Sequence, residues 1–301
     1  MDRKNLFLAL ACFGGALAFY IFGTPRQVPA PAAAPVPTAV TPANVPALTG
    51  SGALPGPAPV AGALDRAKAA REVLANEHIR VTFTTRGGAI EQVELLKEFA
   101  DTDRKEKVVF NRGNPAAALT LVIENRATRA WEQVLGEFKV AAKTKDSLTL
   151  VGTLPDGGKV ERTYALGATA EPYSIRFTTR LLSPGAGVAA PAFAQTLGSW
   201  RPTVGDKANQ FLSVLTHDGE DTILTGVDPF HDSNGLFGLG ASRAVPTVEL
   251  ASAGKPYFWV ASGNQFFASI IHPLSVEARG ARSQVSIRPV AFPEGTEGLD
   301  G

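Results

Sequence analysis

Hydrophobic and polar positions divide the chain into three textures. Asn5 to Pro25 is a run of 21 uncharged and mostly apolar residues. As a helix rising about 1.5 Å per residue it would reach about 30 Å, the thickness of one bilayer core. Residues 26–64 carry a single charge, Arg26, and proline recurs every few positions. Neither helix nor sheet propagates through such sequence, so it predicts an extended, semi-rigid tether. "LDRAKAAREVLANE" (Leu64 to Glu77) then reads as a short helix leading into the third texture, in which apolar positions alternate in short runs.

In "HIRVTFTT" the alternation places Ile79, Val81 and Phe83 inward and Arg80, Thr82 and Thr84 outward. "RGG" turns the chain and "AIEQVEL" returns, a hairpin built on Gly87 and Gly88. "ALTLVIEN", "GEFKVAA", "SLTLVGTL", "KVERTYAL" and "YSIRFTTRLL" follow as further strands, and nearer the end come "PYFWVAS", "NQFFASIIH" and "QVSIRPVAF". "PDGG" (Pro155 to Gly158) and "ASGN" (Ala261 to Asn264) predict turns. Phe266-Phe267 and Ile270-Ile271 put apolar groups on both faces of one strand, which predicts burial on both sides. Leu181 to Trp200 is free of charge but broken by Pro and Gly, and reads as a loop. Many short strands without intervening helices predict a mainly β fold, a large antiparallel β-sandwich. The organisation expected is an N-terminal transmembrane α-helix over 1–25, a Pro/Ala-rich linker over 26–64 and one β domain over 65–301.

Charge refines the first texture. Arg3 and Lys4 precede the apolar run, and after Arg26 no charge appears until Asp65. That bias predicts a cytoplasmic N-terminus with the rest outside. A cleavable signal has a shorter apolar region closed by a small-residue site. Here the run ends in bulky Phe19, Tyr20, Ile21 and Phe22, and the nearest Ala-x-Ala falls later, within Ala30 to Ala34. A retained anchor is the expectation. Cys12, the single cysteine, excludes an intrachain disulfide. A formal net charge of +1 supplies no field that would gather nucleic acid.

Chemistry is sparse. His78, His217, His231 and His272 are scattered, with no pair at a metal-ligand spacing. "HDGED" (His217 to Asp221) reads as an acidic turn, and His217 with Glu220 is the candidate acid/base pair for a sugar-epimerising alternative. "DPFHDSNG" (Asp228 to Gly235) resembles a calcium loop, but Arg243 stands where a bidentate Glu is needed, so it reads as an exposed turn. "GLFGLG" (Gly235 to Gly240) lacks the spacing of a dinucleotide loop, and no G-x-S-x-G occurs. "DTDRKEK" (Asp101 to Lys107) reads as a solvated loop, and Trp131, Trp200 and Trp259 as core aromatics.

The order of features carries more than any single motif. "MDRKN" precedes the apolar run, and the domain's first hairpin contains Thr85, Arg86, Gly87 and Gly88. "ERTYALGATAEPYSIRFTTRL" lies in the middle. "KPYFWVASGNQFFASIIHP" lies near the end, with Trp259, Gln265, Phe266, Phe267, Ala268 and Pro273 at its marked positions. In this order the chain resembles the N-terminal part of the YidC-type membrane protein insertases (the YidC/Oxa/Alb family). The resemblance implies a supersandwich of galactose-mutarotase-like fold, in the periplasm and anchored in the bacterial inner membrane. It implies lipid, the Sec translocon with its accessory subunits and nascent membrane proteins as partners, with no cofactor and no catalytic residue. It also implies that the chain stops at "EGTEGLDG" inside the periplasmic domain and lacks the family's membrane core. The alternative expectation is an anchored carbohydrate-binding or sugar-epimerase-like sandwich protein.

Overall fold

The computed structural model describes residues 69–114, 116–124, 131–183, 193–203, 205–233, 242–251, 256–274, 284–287 and 289. All of them belong to the unit Ser51–Gly301. The expected anchor (1–25), the tether (26–64), "GLFGLG" and "EGTEGLDG" lie outside the described residues. Among the described residues there is no α-helix, and no helix is long and apolar enough to cross a membrane.

The fold is mainly β, and all its named strand pairs are antiparallel. Strands β1 (Arg71–Ala75), β2 (Ile79–Thr84), β3 (Ala89–Phe99) and β4 (Lys107–Phe110) form a meander in chain order. β5 (Leu121–Glu124) lies between β6 (Trp131–Gln133) and β11 (Phe193–Gln195). A second meander runs through β7 (Lys139–Lys143), β8 (Ser147–Thr153), β9 (Lys159–Leu166) and β10 (Ile175–Ser183). A later sheet has the order β13 (Thr222–Thr225), β12 (Ser213–His217), β15 (Trp259–Gly263), β16 (Ala268–Ile271). β14 (Val248–Ala251) pairs with β17 (Gln284–Ile287).

Period-2 alternation explains the core. Ile79, Val81 and Phe83 of β2 have no exposed surface, as do Leu148 and Leu150 of β8 and Val160 of β9. These side chains join one hydrophobic cluster that also takes Leu121 and Ile123 from β5. Each large apolar side chain fully removed from water contributes about 1.5–3 kcal/mol. Phe138 fits because its ring lies beside two glycines: a Cβ on Gly88 or Gly152 would approach it to 2.7 or 2.6 Å.

Four expectations are corrected. The helix over Leu64 to Glu77 is replaced at Arg71–Ala75 by β1, which pairs along β2 from Arg71↔Thr84 to Ala75↔Arg80. Sheet pairing outweighs the weak helix preference of "AREVLA". The turn expected at Ala261 to Asn264 sits later, because Gly263 still pairs with Ala268 and the chain reverses over Asn264–Phe267. Leu181 to Trp200 is not wholly a loop, since β10 runs to Ser183 and Phe193–Gln195 is β11. Nor is β16 covered on both faces: Ile271 packs on the core, whereas Ile270 is 65% exposed. β16 is the last strand of its sheet, so its outward face lacks one flank of neighbours.

Candidate functional site

The Thr85-Arg86-Gly87-Gly88 turn joins β2 to β3, with Thr84 paired to Ala89. Gly87 and Gly88 have φ of +74° and +55°, the left-handed region that a Cβ disfavours. All four backbone N–H groups of the turn have a hydrogen-bond acceptor. Thr85 N–H donates to Ala70 O at 3.0 Å, and Gly87 N–H donates to Gly136 O at 2.9 Å. Thr85 O accepts from Phe138 N–H at 2.8 Å, and the backbones of Arg86 and Glu137 stand opposite each other in an isolated antiparallel β-bridge.

The two glycine carbonyls point into the core and meet β9. Arg162 Nη1 donates to Gly87 O at 3.3 Å, and Tyr164 Oη donates to Gly88 O at 2.7 Å. Both side chains have no exposed surface. Arg162 also donates through Nη2 to Gln195 Oε1 at 3.2 Å, and its guanidinium lies 5.6 Å from the Tyr164 ring centroid. Burial pushes the Arg162 guanidinium down from its ordinary pKa and the Tyr164 phenol up. Sequence reading marked the turn but missed these two partners. The available signal was register: Val160, Arg162, Tyr164 and Leu166 share one face of "KVERTYAL", which sets an arginine on an apolar row.

The second cluster surrounds the β15–β16 hairpin. Asn264 Oδ1 accepts from Phe266 N–H and Phe267 N–H at 3.1 and 3.0 Å, an Asx-type cap on the turn. Asn264 Nδ2 donates to Arg201 O at 3.0 Å, and Gln265 Oε1 accepts from Thr203 Oγ1 at 3.4 Å. Trp200 Nε1 donates to Ser269 Oγ at 3.2 Å. Its ring stacks on Phe267 at 6.1 Å and leans on Phe110 at 5.2 Å. The segment that bears Trp200 is held in turn by asparagines: Asn114 Nδ2 donates to Ser199 Oγ at 2.7 Å, and Asn111 Oδ1 accepts from Ser199 N–H at 3.1 Å. Phe266, by contrast, is 67% exposed, and Pro273 is half-buried beyond β16.

Trp259 stacks on His217 at 5.3 Å instead of joining the core cluster. His217 Nδ1 lies 2.9 Å from Asp221 O and 3.1 Å from Thr222 Oγ1, which fixes the ring against its own turn. Glu220 sits in that turn, where Asp218 Oδ1 accepts from the N–H groups of Glu220 and Asp221. The His217–Glu220 pair is thus part of the exposed β12–β13 connection. "DPFHDSNG" opens as a 3-10 helix over Asp228–Phe230, and Asp232 Oδ1 accepts from Ala244 N–H at 2.8 Å. Among the described residues no group of three His, Cys, Asp or Glu side chains is placed to hold a metal ion.

Register across this sheet aligns Leu224, Leu215, Ala261 and Ile270 in one row, one residue from each strand. The row is open at both ends, where Leu224 and Ile270 are each 65% exposed. The sequence-marked residues therefore fall into two environments. Thr85–Gly88 form a buried clasp with β9, whereas Trp259, Gln265, Phe266, Phe267 and Pro273 shape a hairpin with an exposed apolar tip and face. Neither a scan against protein-family models nor a search of curated proteins finds a match for this chain.

Proposed function

We propose that the chain is the membrane-anchored periplasmic module of a YidC-type membrane protein insertase. In this reading residues 1–25 are a retained anchor with a cytoplasmic N-terminus, and residues 26–64 are the tether. The β-rich unit is an antiparallel sandwich of the supersandwich kind, similar to galactose mutarotase. It assists insertion and folding of inner-membrane proteins by docking to the Sec translocon, and it holds no catalytic residue or cofactor of its own.

One observation carries the reading. Two stretches on which the family resemblance rests, "TRGG" and "ERTYAL", are 75 and 76 residues apart at their contacts, yet they interlock through Gly87, Gly88, Arg162 and Tyr164. Short motifs that meet in the core are parts of one folded unit, which a chance resemblance does not require. The sandwich is supported by the common hydrophobic cluster to which β2, β5, β8 and β9 contribute. Docking is supported by the exposed apolar positions Leu224, Phe266 and Ile270.

Photo-crosslinking in cells tests it. With a benzophenone amino acid at Phe266 or Ile270 and the full chain in inner membranes, adducts to translocon subunits are expected, and none from Lys145. A chain that washes out of membranes at alkaline pH, or that gives no such adduct, sinks the reading. Saturable micromolar sugar binding lost in His217→Ala would overturn it in favour of a carbohydrate-binding protein.

A further inference from the structure

The edges of the sheets are not alike. β1, β4, β7 and β10 each end a four-stranded sheet, and each carries Lys or Arg: Arg71, Lys107, Lys139 with Lys143, and Arg176 with Arg180. Register also shifts along three of these pairings, between Leu95 and Phe99 opposite β4, between Val140 and Ala142 in β7 and between Leu181 and Ser183 in β10. Charges and irregular pairing keep further strands from adding to an edge. β13 and β16 end the later sheet and have neither: Thr-Ile-Leu-Thr and Ala-Ser-Ile-Ile hold no charge, and their pairing runs without a shift.

Of these two edges, β13 is the open one. Register sets Ile223, Thr216, Val260 and Ile271 in one row, on the face that reaches the core through Ile271. At the β16 end the row is closed, since Ile271 packs on the cluster and neighbouring Ser269 accepts from Trp200. At the β13 end Ile223 is 53% exposed although Thr216 beside it is buried, and Leu224 is exposed on the opposite face. Asp218 N–H donates to Asp221 O. From that pair the antiparallel ladder alternates, turning the backbone groups of Ile223 and Thr225 toward β12 and those of Thr222 and Leu224 outward. Among the described residues no strand pairs with that outward side. Glu220 and Asp221 are exposed in the turn that enters β13.

We propose that β13 takes up an extended segment of a partner protein as a fifth strand of its sheet. The outward N–H and C=O groups of Thr222 and Leu224 are matched by a backbone in strand conformation, whereas a helix satisfies its own backbone and a lipid tail has no such groups. Alternating apolar side chains on that segment would cover Ile223 on one face and Leu224 on the other. A Lys or Arg at the end of the segment would lie against Glu220 and Asp221, which sets its register. The site holds whether or not the chain serves an insertase.

Amide hydrogen exchange followed by NMR tests it on the full chain in detergent micelles. The probe is a synthetic peptide of alternating Val and Thr with lysine at both ends. At a concentration about ten times its dissociation constant, it should slow exchange at Thr222 and Leu224 about tenfold and leave Ile270 unchanged. The same peptide N-methylated at every residue should have no effect, and one ended by glutamate should bind more weakly. Leu224→Pro removes an outward N–H but no bond to β12, so it should abolish protection at Thr222 while the circular dichroism spectrum is kept. The peptide controls decide the matter even if that variant fails to fold. Absence of protection with the lysine-ended peptide, protection at Ile270 in place of Leu224, or equal protection by the N-methylated peptide overturns the proposal.

Discussion

Gly88 and Gly157 share a positive φ, +55° and +83°, but their surroundings are opposite. A Cβ on Gly157 would meet nothing within 4 Å, whereas one on Gly88 would meet the Phe138 ring at 2.7 Å. Gly157→Ala therefore carries backbone strain alone, about 1–2 kcal/mol. Gly88→Ala adds overpacking to that strain and should lose about 2–5 kcal/mol. Urea unfolding midpoints separate the two, and equal losses would mean that Phe138 moves aside freely. Tyr164 supplies a pH test at the same place. Burial raises its phenol above the ordinary value of 10.0, so the folded chain favours the neutral form. The unfolded phenol ionises first as pH rises, and stability present below about pH 10 is lost above it. Tyr164→Phe should flatten the loss between about pH 9.5 and pH 11.5, leaving a remainder from Tyr257 and Tyr173, whose phenols are also raised. It should also cost about 1–3 kcal/mol at neutral pH, because Gly88 O loses its donor. An unchanged alkaline slope would remove Tyr164 from the account.

Among the elements, β16 shows best how position in a sheet decides the fate of a side chain. Ile270 and Ile271 are adjacent, yet one faces out and the other packs on the core. Ile270→Lys should change stability by less than about 0.5 kcal/mol, because that side chain stays in water on the outward face of an edge strand. Ile271→Lys places an unpaired charge against the core and should prevent stable folding. Comparable effects of the two would contradict the register. This distinction was not legible in "QFFASIIH", where two adjacent apolar pairs look alike on both faces and nothing local marks an edge. Legibility was high where chemistry is local. Gly87-Gly88 between two alternating runs sufficed for the first hairpin, and "PDGG" for the β8–β9 turn, where Gly157 N–H donates to Leu154 O at 2.9 Å. It failed where a distant partner decides. β1 is a strand because β2 lies beside it, and Arg162 is buried because Gly87, 75 residues away, offers it a carbonyl. The second turn moved because the side chain of Asn264 caps two amides beyond it, an effect that residue type alone leaves ambiguous.

Across the unit, burial is uneven. The hydrophobic cluster draws on β1 to β5, β8 and β9, while from the β12–β13–β15–β16 sheet only Ile271 packs against it. Local opening should follow that division. Hydrogen exchange is expected to be slowest in β2, β8 and β9 and distinctly faster in β12 and β15, although both of the latter are flanked by strands on each side. Equal protection in the two sets would show that the later sheet opens only with the whole. The single tryptophan packed against both regions gives this an optical dimension. Trp200 leans on Phe110 of β4, stacks on Phe267 of the hairpin and donates its indole N–H to Ser269. Its emission colour and lifetime would respond if the hairpin lifted, even with every strand still paired. In a Trp131→Phe, Trp259→Phe background the molecule would carry an internal lamp at the seam, able to time a docking event that changes no secondary structure.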